Sequence, residues 1–361
     1  MKKVRHVLGI SGGKDSAALA IYMRDHYPDL DIEYYTADTG KELDATYKLI
    51  ENLEVYLGKK IIRLAAYNNS HLSPFDHKLK TLGGYLPSPQ RRWCTKSLKL
   101  DMFEQFVGND PVISYVGIRG DEDREGYIST KTNIQSIFPF RKNIWSEDVL
   151  IKFFNYDPAL LPVASDNEKF LRILNSPISD RFIQSQKLNQ LLNIDIIAFN
   201  QLVFSFLQTT AYPLAQSSHF PLLDNKDNLK IEDIFELLNH SGVGVPEYYN
   251  KIEFEVNGKK GTYCRSRSGC YFCFFQQKIE WVWLYEQHPD LFFKAMEYEK
   301  DDEHTWNQKE KLAELMRPER IIQIKEEYLA RQERKNISSS DYLVDIITDA
   351  EEDAGCAACF I

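Results

Sequence analysis

The feature that most constrains the fold lies near the start of the chain, where residues 7–16 join an apolar strand, a glycine turn and a helix start. The turn is the glycine loop, which consists of Ser11, Gly12, Gly13, Lys14, Asp15 and Ser16. Its glycines can adopt a positive φ and leave bare backbone for a ligand, while the helix start directs free N–H groups to the same point. The loop therefore predicts a phosphate site; the alternative is an ordinary strand, turn and helix.

Several features exclude whole classes of protein. The glycine loop does not match the Walker spacing Gly-x-x-x-x-Gly-Lys-Ser/Thr, which excludes a generic kinase or GTPase. No apolar run is long enough to span a bilayer and no signal peptide precedes the first strand, so a soluble, cytoplasmic protein without a membrane partner is expected. The net charge of −9 argues against autonomous tight binding of nucleic acid. A partner protein or a local basic patch would have to recruit DNA or another nucleic acid.

The order of strand-like and helical segments predicts an α/β fold with a doubly wound, mostly parallel sheet. The predicted strands cover residues 4–10, 32–37, 61–66 and 112–118, and the predicted helices cover residues 16–27, 43–57 and 95–106. The chain of 361 residues exceeds one domain, so a helical insertion and a helical C-terminal part are added. The predicted boundaries are 1–142, 143–218, 219–276, 277–340 and 341–361.

Three further segments are expected near the glycine loop, because ligands of such sheets bind beyond the carboxyl ends of the strands. The segment after the second strand contains Asp38, Thr39 and Gly40. Asp38 is placed to accept hydrogen bonds from a ribose or adenine group, or alternatively to cap the next helix. The segment after the fourth strand contains Gly117 and Arg119. Arg119 could clamp a phosphate, and the acids that follow it could help to hold Mg²⁺ or orient Arg124.

The remaining segment places four cations around one cysteine at a helix start. The cations are Arg91, Arg92, Lys96 and Lys99, and the cysteine is Cys94. Such a place would hold an anion or lower the pKa of the thiol. Taken alone, this segment and the one around Arg119 are also consistent with solvated charged loops.

A second group of cysteines has the spacing Cys-x5-Cys-x2-Cys, at Cys264, Cys270 and Cys273. The short pair can chelate one metal ion or one edge of a cluster from a tight turn. With a fourth thiolate, the set would fit a [4Fe–4S] cluster or Zn²⁺, and spacing does not decide between them. Buried cysteines without a metal are the alternative.

Four motifs in order resemble the phosphoadenosine phosphosulfate (PAPS) reductase family of the PP-loop ATP pyrophosphatase superfamily. They are Ser-Gly-Gly-Lys-Asp-Ser, Asp-Thr-Gly, Arg-Trp-Cys-Thr-x-x-Leu-Lys and Gly-Ile-Arg-x-Asp-Glu. The resemblance covers residues 1–125 and resumes near Phe220, where it includes Val-Pro-Glu-Tyr-Tyr at residues 245–249. The intact Lys14-Asp15 pair and the cysteines are most similar to the DndC-like and SspD-like ATP pyrophosphatases of DNA phosphorothioation. The implied fold is adenine nucleotide alpha hydrolase-like.

The resemblance implies a reaction in which ATP is split to AMP and pyrophosphate to activate an acceptor, here DNA, for sulfur from a cysteine desulfurase. The glycine loop would hold the β- and γ-phosphates, with residues 38–40 and Gly117 completing the nucleotide site. Lys14, Asp15, Lys96 and Arg119 would be catalytic, with Lys96 and Arg119 neutralising charge at the α-phosphate. Mg²⁺ would accompany the leaving pyrophosphate. Cys94 would be the fourth cysteine, and the resemblance favours iron–sulfur over zinc.

Three alternatives to this function stay open. A PAPS or APS reductase-type enzyme would use thiols of the acidic C-terminal tail, Cys356 and Cys359. A tRNA thiolation enzyme would activate RNA in place of DNA. A third hypothesis is a nucleotide-sensing subunit that binds ATP without splitting it.

Overall fold

The computed structural model describes residues 3–122, 129, 131–162, 165–300, 304–307 and 310–337. Arg124, Cys356 and Cys359 lie outside these residues, and so does the predicted tail at 341–361. The main sheet is formed by β1 (Arg5–Gly9), β2 (Ile32–Asp38), β3 (Ile62–Ala65), β4 (Val112–Tyr115) and β5 (Ile134–Ile137).

The five strands are all parallel and lie in the order β3-β2-β1-β4-β5. In the register of the sheet, Leu8 of β1 stands opposite Tyr34 of β2 and Tyr115 of β4. The α/β class and the parallel sheet are thus confirmed. The first four strands follow the prediction closely, whereas β5 was not predicted.

Helices cover both faces of this sheet. Successive side chains of a strand point to opposite sides, so neighbouring residues of β1 pack in different clusters. Leu8 belongs to a large hydrophobic cluster with α1 and α2, while its neighbour Val7 packs with Phe103 and Val107 of α5 in a separate cluster. This arrangement is compatible with a doubly wound fold. The helices of this half are α1 (Lys14–His26), α2 (Asp44–Leu57), α3 (Pro74–Thr81), α4 (Trp93–Thr95) and α5 (Asp101–Val107).

Residues 143–218 are mainly helical. Their helices are α6 (Glu147–Phe154), α7 (Glu168–Asn175), α8 (Gln184–Ile194) and α9 (Ile196–Leu207), with short 3₁₀ turns at Pro158–Leu160 and Pro213–Gln216. Phe199, Leu202 and Phe206 of α9 are buried in the same cluster as Leu8. The predicted insertion therefore shares a hydrophobic core with the sheet.

From Tyr248 onward, the described chain contributes to a second core beside the sheet, whereas Ile234 and Leu238 still lie in the cluster of Leu8. After α10 (Ile231–His240), an antiparallel hairpin joins β6 (Ile252–Val256) to β7 (Lys259–Tyr263). It is followed by α11 (Lys278–Gln287), α12 (Pro289–Met296), α13 (Leu312–Leu315) and α14 (Pro318–Ile337). Trp281 and Trp306 lie in this core with Phe272, which comes from the predicted cysteine segment. Within the described residues, no helix combines the length and the apolar content needed to cross a membrane.

Candidate functional site

The site lies where the strand order reverses. From β1 the chain moves to β2 and β3 on one side and returns to β4 and β5 on the other side. The loops after β1 and β4 therefore diverge, and in open parallel sheets this opening is where ligands bind. The glycine loop follows β1, and Gly117 and Arg119 follow β4.

Asp15 links these two loops. Its carboxylate accepts a hydrogen bond from Nη1 of Arg119 at 2.7 Å and one from Nζ of Lys14 at 3.2 Å. Arg119 is also paired with Asp121 at 2.8 Å and Glu122 at 3.0 Å. Burial by itself would lower the pKa of Arg119, but the charges and hydrogen bonds of Asp15, Glu122 and Asp121 together outweigh burial and raise that pKa. Two cations are thus held at the switch point, each less than 10% exposed.

The glycines of the site are required by its close packing. Gly12 has a φ of 76°, and a Cβ there would lie 2.2 Å from Cγ2 of Thr46. A Cβ on Gly117 would lie 3.0 Å from the carbonyl oxygen of Asp15. A side chain on Gly12 would collide with α2, and one on Gly117 would push the loop after β4 away from the glycine loop, so both glycines permit the close packing of the site.

Two tyrosines from a distant segment brace the glycine loop. The hydroxyl of Tyr248 donates to the carbonyl oxygen of Gly12 at 2.6 Å, and Nζ of Lys14 lies 5.0 Å from the ring centre of Tyr249. Burial raises the pKa of Tyr248 to about 12, so its hydroxyl stays a donor at neutral pH. The family resemblance includes this segment but implies no role for its tyrosines. The available signal was two adjacent aromatic residues after Pro246.

The segment after β2 forms a tight turn. The carboxylate of Asp38 accepts hydrogen bonds from the backbone N–H of Gly40 at 2.8 Å and the hydroxyl of Tyr47 at 3.1 Å. Because α2 begins only at Asp44, with Leu43 at its N-cap, the alternative that Asp38 caps this helix is wrong. Asp38 instead shapes the turn, and its role toward a nucleotide stays a prediction.

The same turn meets the cysteine segment. The hydroxyl of Thr39 lies 3.2 Å from Sγ of Cys270 and donates to Glu42 at 2.6 Å, and Glu42 forms a backbone bridge with Cys270. Burial, together with the charge of Glu42, raises the pKa of the Cys270 thiol. The charge of Lys99 lowers the pKa of Glu42, but burial has the larger effect, so the pKa of Glu42 is raised. The structure therefore joins three predicted segments at Cys270.

The basic segment itself begins a helix that changes its pitch. α4 passes into a π-helical turn at Lys96–Leu100 before α5 starts, an irregularity that is frequent at functional sites. Lys96 is exposed there, and within the described chain no hydrogen bond or ion pair joins it to the glycine loop. The guanidinium of Arg92 lies 4.8 Å from the ring centre of Phe275. The catalytic role predicted for Lys96 has no contact in support of it.

The four cysteines predicted as metal ligands, Cys94, Cys264, Cys270 and Cys273, form no disulfide. Cys94 and Cys270 are close enough for their charges to interact. The strongest charges around Cys264 are instead those of Glu280, Lys251 and Lys14, while burial is the main cause that raises its pKa. In the part of the chain that the structure describes, no three Cys, His, Asp or Glu side chains form a metal-binding group. These residues therefore show no ready ligand set for a cluster, Zn²⁺ or Mg²⁺, and the metal stays a prediction.

A cavity of about 550 Å³ opens beside the turn after β2. Lys41 and Asp76 on its wall form an ion pair at 2.6 Å. Three more lysines on the wall, Lys80, Lys294 and Lys300, are exposed, and in the described residues no carboxylate pairs with them. The volume is that of a typical small-molecule site, and with four lysines against Asp76 and Glu297 the charge on its wall is net positive.

Comparison with known proteins gives one informative match. An uncharacterized protein of Methanocaldococcus jannaschii is 32% identical over 154 residues, which correspond to 38% of this chain and 30% of that protein. The chain thus spans less than a third of the length of the curated relative that it matches. No protein-family model matches the chain.

Proposed function

We propose that this chain is an ATP pyrophosphatase of adenine nucleotide alpha hydrolase-like fold that activates an acceptor for sulfur transfer. One observation carries the proposal: Lys14 and Arg119 are buried together at the switch point of a parallel sheet, beside glycines that pack closely against neighbouring segments. Buried cations on fixed carboxylates are suited to charge that develops in a transition state, because no reorganisation is needed. The motif order of the PP-loop superfamily adds support.

In the proposed reaction, an acceptor oxygen attacks the α-phosphorus of ATP. The new P–O bond forms as the bond to the α–β bridging oxygen breaks, and pyrophosphate leaves with that electron pair. The glycine loop and Lys14 hold the β- and γ-phosphates, while Arg119 neutralises charge at the α-phosphate. Asp15 positions both cations through its two hydrogen bonds. Mg²⁺ arrives with the nucleotide, since this ion needs few protein ligands.

The acceptor is proposed to be a nucleic-acid phosphodiester, with DNA favoured by the resemblance to phosphorothioation enzymes. The lysine-lined cavity supports a phosphate-bearing acceptor, because Lys80, Lys294 and Lys300 are exposed there. A cysteine desulfurase would supply the sulfur. Such a local basic patch offsets the net charge of −9, which otherwise disfavours contact with nucleic acid.

Pyrophosphate release from ATP and Mg²⁺, with and without a DNA oligonucleotide and a cysteine desulfurase, tests the proposal. Lys14→Ala and Arg119→Lys should each reduce the rate at least about a hundredfold, as expected for lost transition-state contacts. Lys48→Ala, on the exposed side of α2, is the matched control and should keep the full rate. Circular dichroism spectra must show that each variant is folded.

Two results would contradict the proposed reaction and separate the alternatives. A chain that binds ATP but releases no pyrophosphate under any of these conditions would be a nucleotide-sensing subunit. Thioredoxin-dependent sulfite formation from a sulfonucleotide, lost in Cys356→Ala or Cys359→Ala, would identify a reductase. Replacing the DNA by tRNA in the same assay tests the RNA acceptor.

A further inference from the structure

A buried arginine without a counter-charge lies next to the glycine loop. Arg265 is only 1% exposed, yet its Nε and Nη1 atoms have no hydrogen-bond partner among the described residues. In the same part of the chain, its guanidinium makes one hydrogen bond, from Nη2 to the carbonyl oxygen of Cys270 at 3.2 Å. Among the described residues, no carboxylate lies within ion-pair distance of it. Burying a guanidinium in this way is costly unless an anion joins it.

A second arginine of the same segment is in a similar state. Nη1 of Arg267 is buried and has no partner in the described chain. The nearby carboxylate of Glu280 does not serve either arginine, because it accepts hydrogen bonds from the backbone and hydroxyl of Ser266, at 2.7 and 2.8 Å. Residues 265–268 are the arginine strap, a segment with several buried cationic donors left open.

The arginine strap lies against the glycine loop. The backbone N–H of Arg265 donates to Tyr248 at 2.9 Å, and the hydroxyl of Tyr248 donates to Gly12. A Cβ on Gly13 would lie 2.6 Å from Oγ of Ser268. The backbone of Gly13 therefore packs directly against the strap.

We propose that Arg265 and Arg267 bind the phosphates of the nucleotide beside the glycine loop, so that the arginine strap covers the triphosphate. The ligand class is a di- or triphosphate anion, which matches open N–H donors better than a single carboxylate does. This inference rests on the proposed function, since it places a second set of donors at the same nucleotide. Lys14, Arg119 and the strap then surround the phosphates.

Calorimetric titration with inorganic pyrophosphate and with α,β-methylene ATP tests the role of the strap. The variants are Arg265→Met, Arg267→Met and Lys14→Ala, and the matched control is Arg181→Met, at an exposed arginine of the helical insertion. Each strap variant should bind both probes about ten- to a hundredfold more weakly, since each loses a hydrogen bond to a charged group. Arg181→Met should bind like the wild type.

Thermal unfolding separates this role from a purely structural one. Without ligand, Arg265→Met should keep or raise the Tm, because it removes an uncompensated buried charge, while the rise in Tm on adding pyrophosphate should shrink. A lower Tm without ligand and an unchanged rise would identify Arg265 as structural and overturn the proposal for this residue. If Arg265→Met does not fold, the less buried Arg267 decides.

The failures of the two proposals differ in this experiment. A wild-type chain that binds neither probe contradicts the proposed function. Wild-type binding that is lost in Lys14→Ala but kept in both strap variants contradicts only the inference about the strap. Loss of bound iron or zinc in Arg265→Met, with binding of the probes unchanged, would assign the guanidinium to the cysteines instead and overturn the inference.

Discussion

At the scale of single residues, Asp15 determines how the candidate site can respond to a ligand. It lies between Lys14 and Arg119 and accepts a hydrogen bond from each. A phosphate that approached the two cations would compete with this carboxylate, so Asp15 fixes the position of the cations and also weakens their field. A site of this kind favours a ligand with several negative charges, because one charge would not outweigh the carboxylate already present.

Gly12 offers a direct test of the packing that positions the glycine loop. Gly12→Ala should lower the free energy of unfolding by at least about 2 kcal/mol, through a strained positive φ and a clash with Thr46. Adding Thr46→Ser removes the methyl group that a Cβ would meet at 2.2 Å. Chemical denaturation should therefore show partial recovery in the double variant, and no recovery would place the whole cost in the backbone.

His6 makes stability depend on pH. Burial lowers the pKa of His6 below its usual 6.5, with a smaller contribution from Lys3. The unfolded chain therefore binds more protons than the folded chain in this range, so stability falls as the pH drops from 6.5 through the lowered pKa. One such group contributes at most about 1.4 kcal/mol per pH unit.

His6→Gln should flatten this pH dependence, because the neutral side chain has no proton to gain. The measurement is the midpoint of urea unfolding between about pH 5 and pH 7, the range around the ordinary titration of histidine. The same substitution at the exposed His71 is the control. An identical slope in His6→Gln and the wild type would show that the acid sensitivity arises elsewhere.

At the scale of elements, the sequence was sufficient for β1 to β4, whose predicted segments hold mostly apolar and aromatic residues, and insufficient for β5. That strand contains Gln135 and Ser136, both buried, so its pattern is not that of a buried strand. Gln135 is tolerated because its side-chain oxygen accepts the backbone N–H of Leu214 at 3.1 Å. This partner lies 79 residues away, and no local pattern could have indicated it.

The same limit applies to the site. The convergence of the glycine loop and Arg119 followed from strand ends in a parallel sheet, a rule that needs only element order. Tyr248 and Ser268 reach the glycine loop through tertiary packing, across 236 residues in the case of Tyr248. Sequence analysis therefore found the residues directly after the strands and missed those that cover the loop from the second core.

A buried hydrogen bond joins α9 to the segment just before α6, and a single substitution can test its contribution to stability. Nε1 of Trp145, just before α6, donates to Oδ1 of Asn200 on α9 at 3.0 Å, and both residues are fully buried. Asn200→Ala leaves the indole N–H without a partner and should cost about 2 kcal/mol of stability. Chemical denaturation measures this loss, with Asn175→Ala at an exposed helix end as the control.

At the scale of the whole molecule, two cores meet around the candidate site. The larger core joins β1 and α1 to the helices of residues 143–218, and the second core joins α3 to the segments after β6. The glycine loop lies at the edge of the first core, while Tyr248 belongs to the second. A relative movement of the two cores would therefore change the contact between Tyr248 and the glycine loop.

The charge distribution of the whole molecule leads to the last prediction. The net charge is −9, yet residues 1–100 hold 16 Lys and Arg against 11 Asp and Glu, and the cavity beside the turn after β2 adds Lys294 and Lys300. If this cavity contacts two phosphates of a DNA duplex, the double variant Lys294→Glu and Lys300→Glu should weaken binding of an oligonucleotide. The slope of log K against log salt should become shallower by about 1.8. Fluorescence anisotropy at several salt concentrations measures both effects.

The control is Lys260→Glu, on the exposed hairpin, which matches the charge change of one of the two substitutions. An equal loss of oligonucleotide affinity in that variant would assign the effect to net charge and not to the cavity.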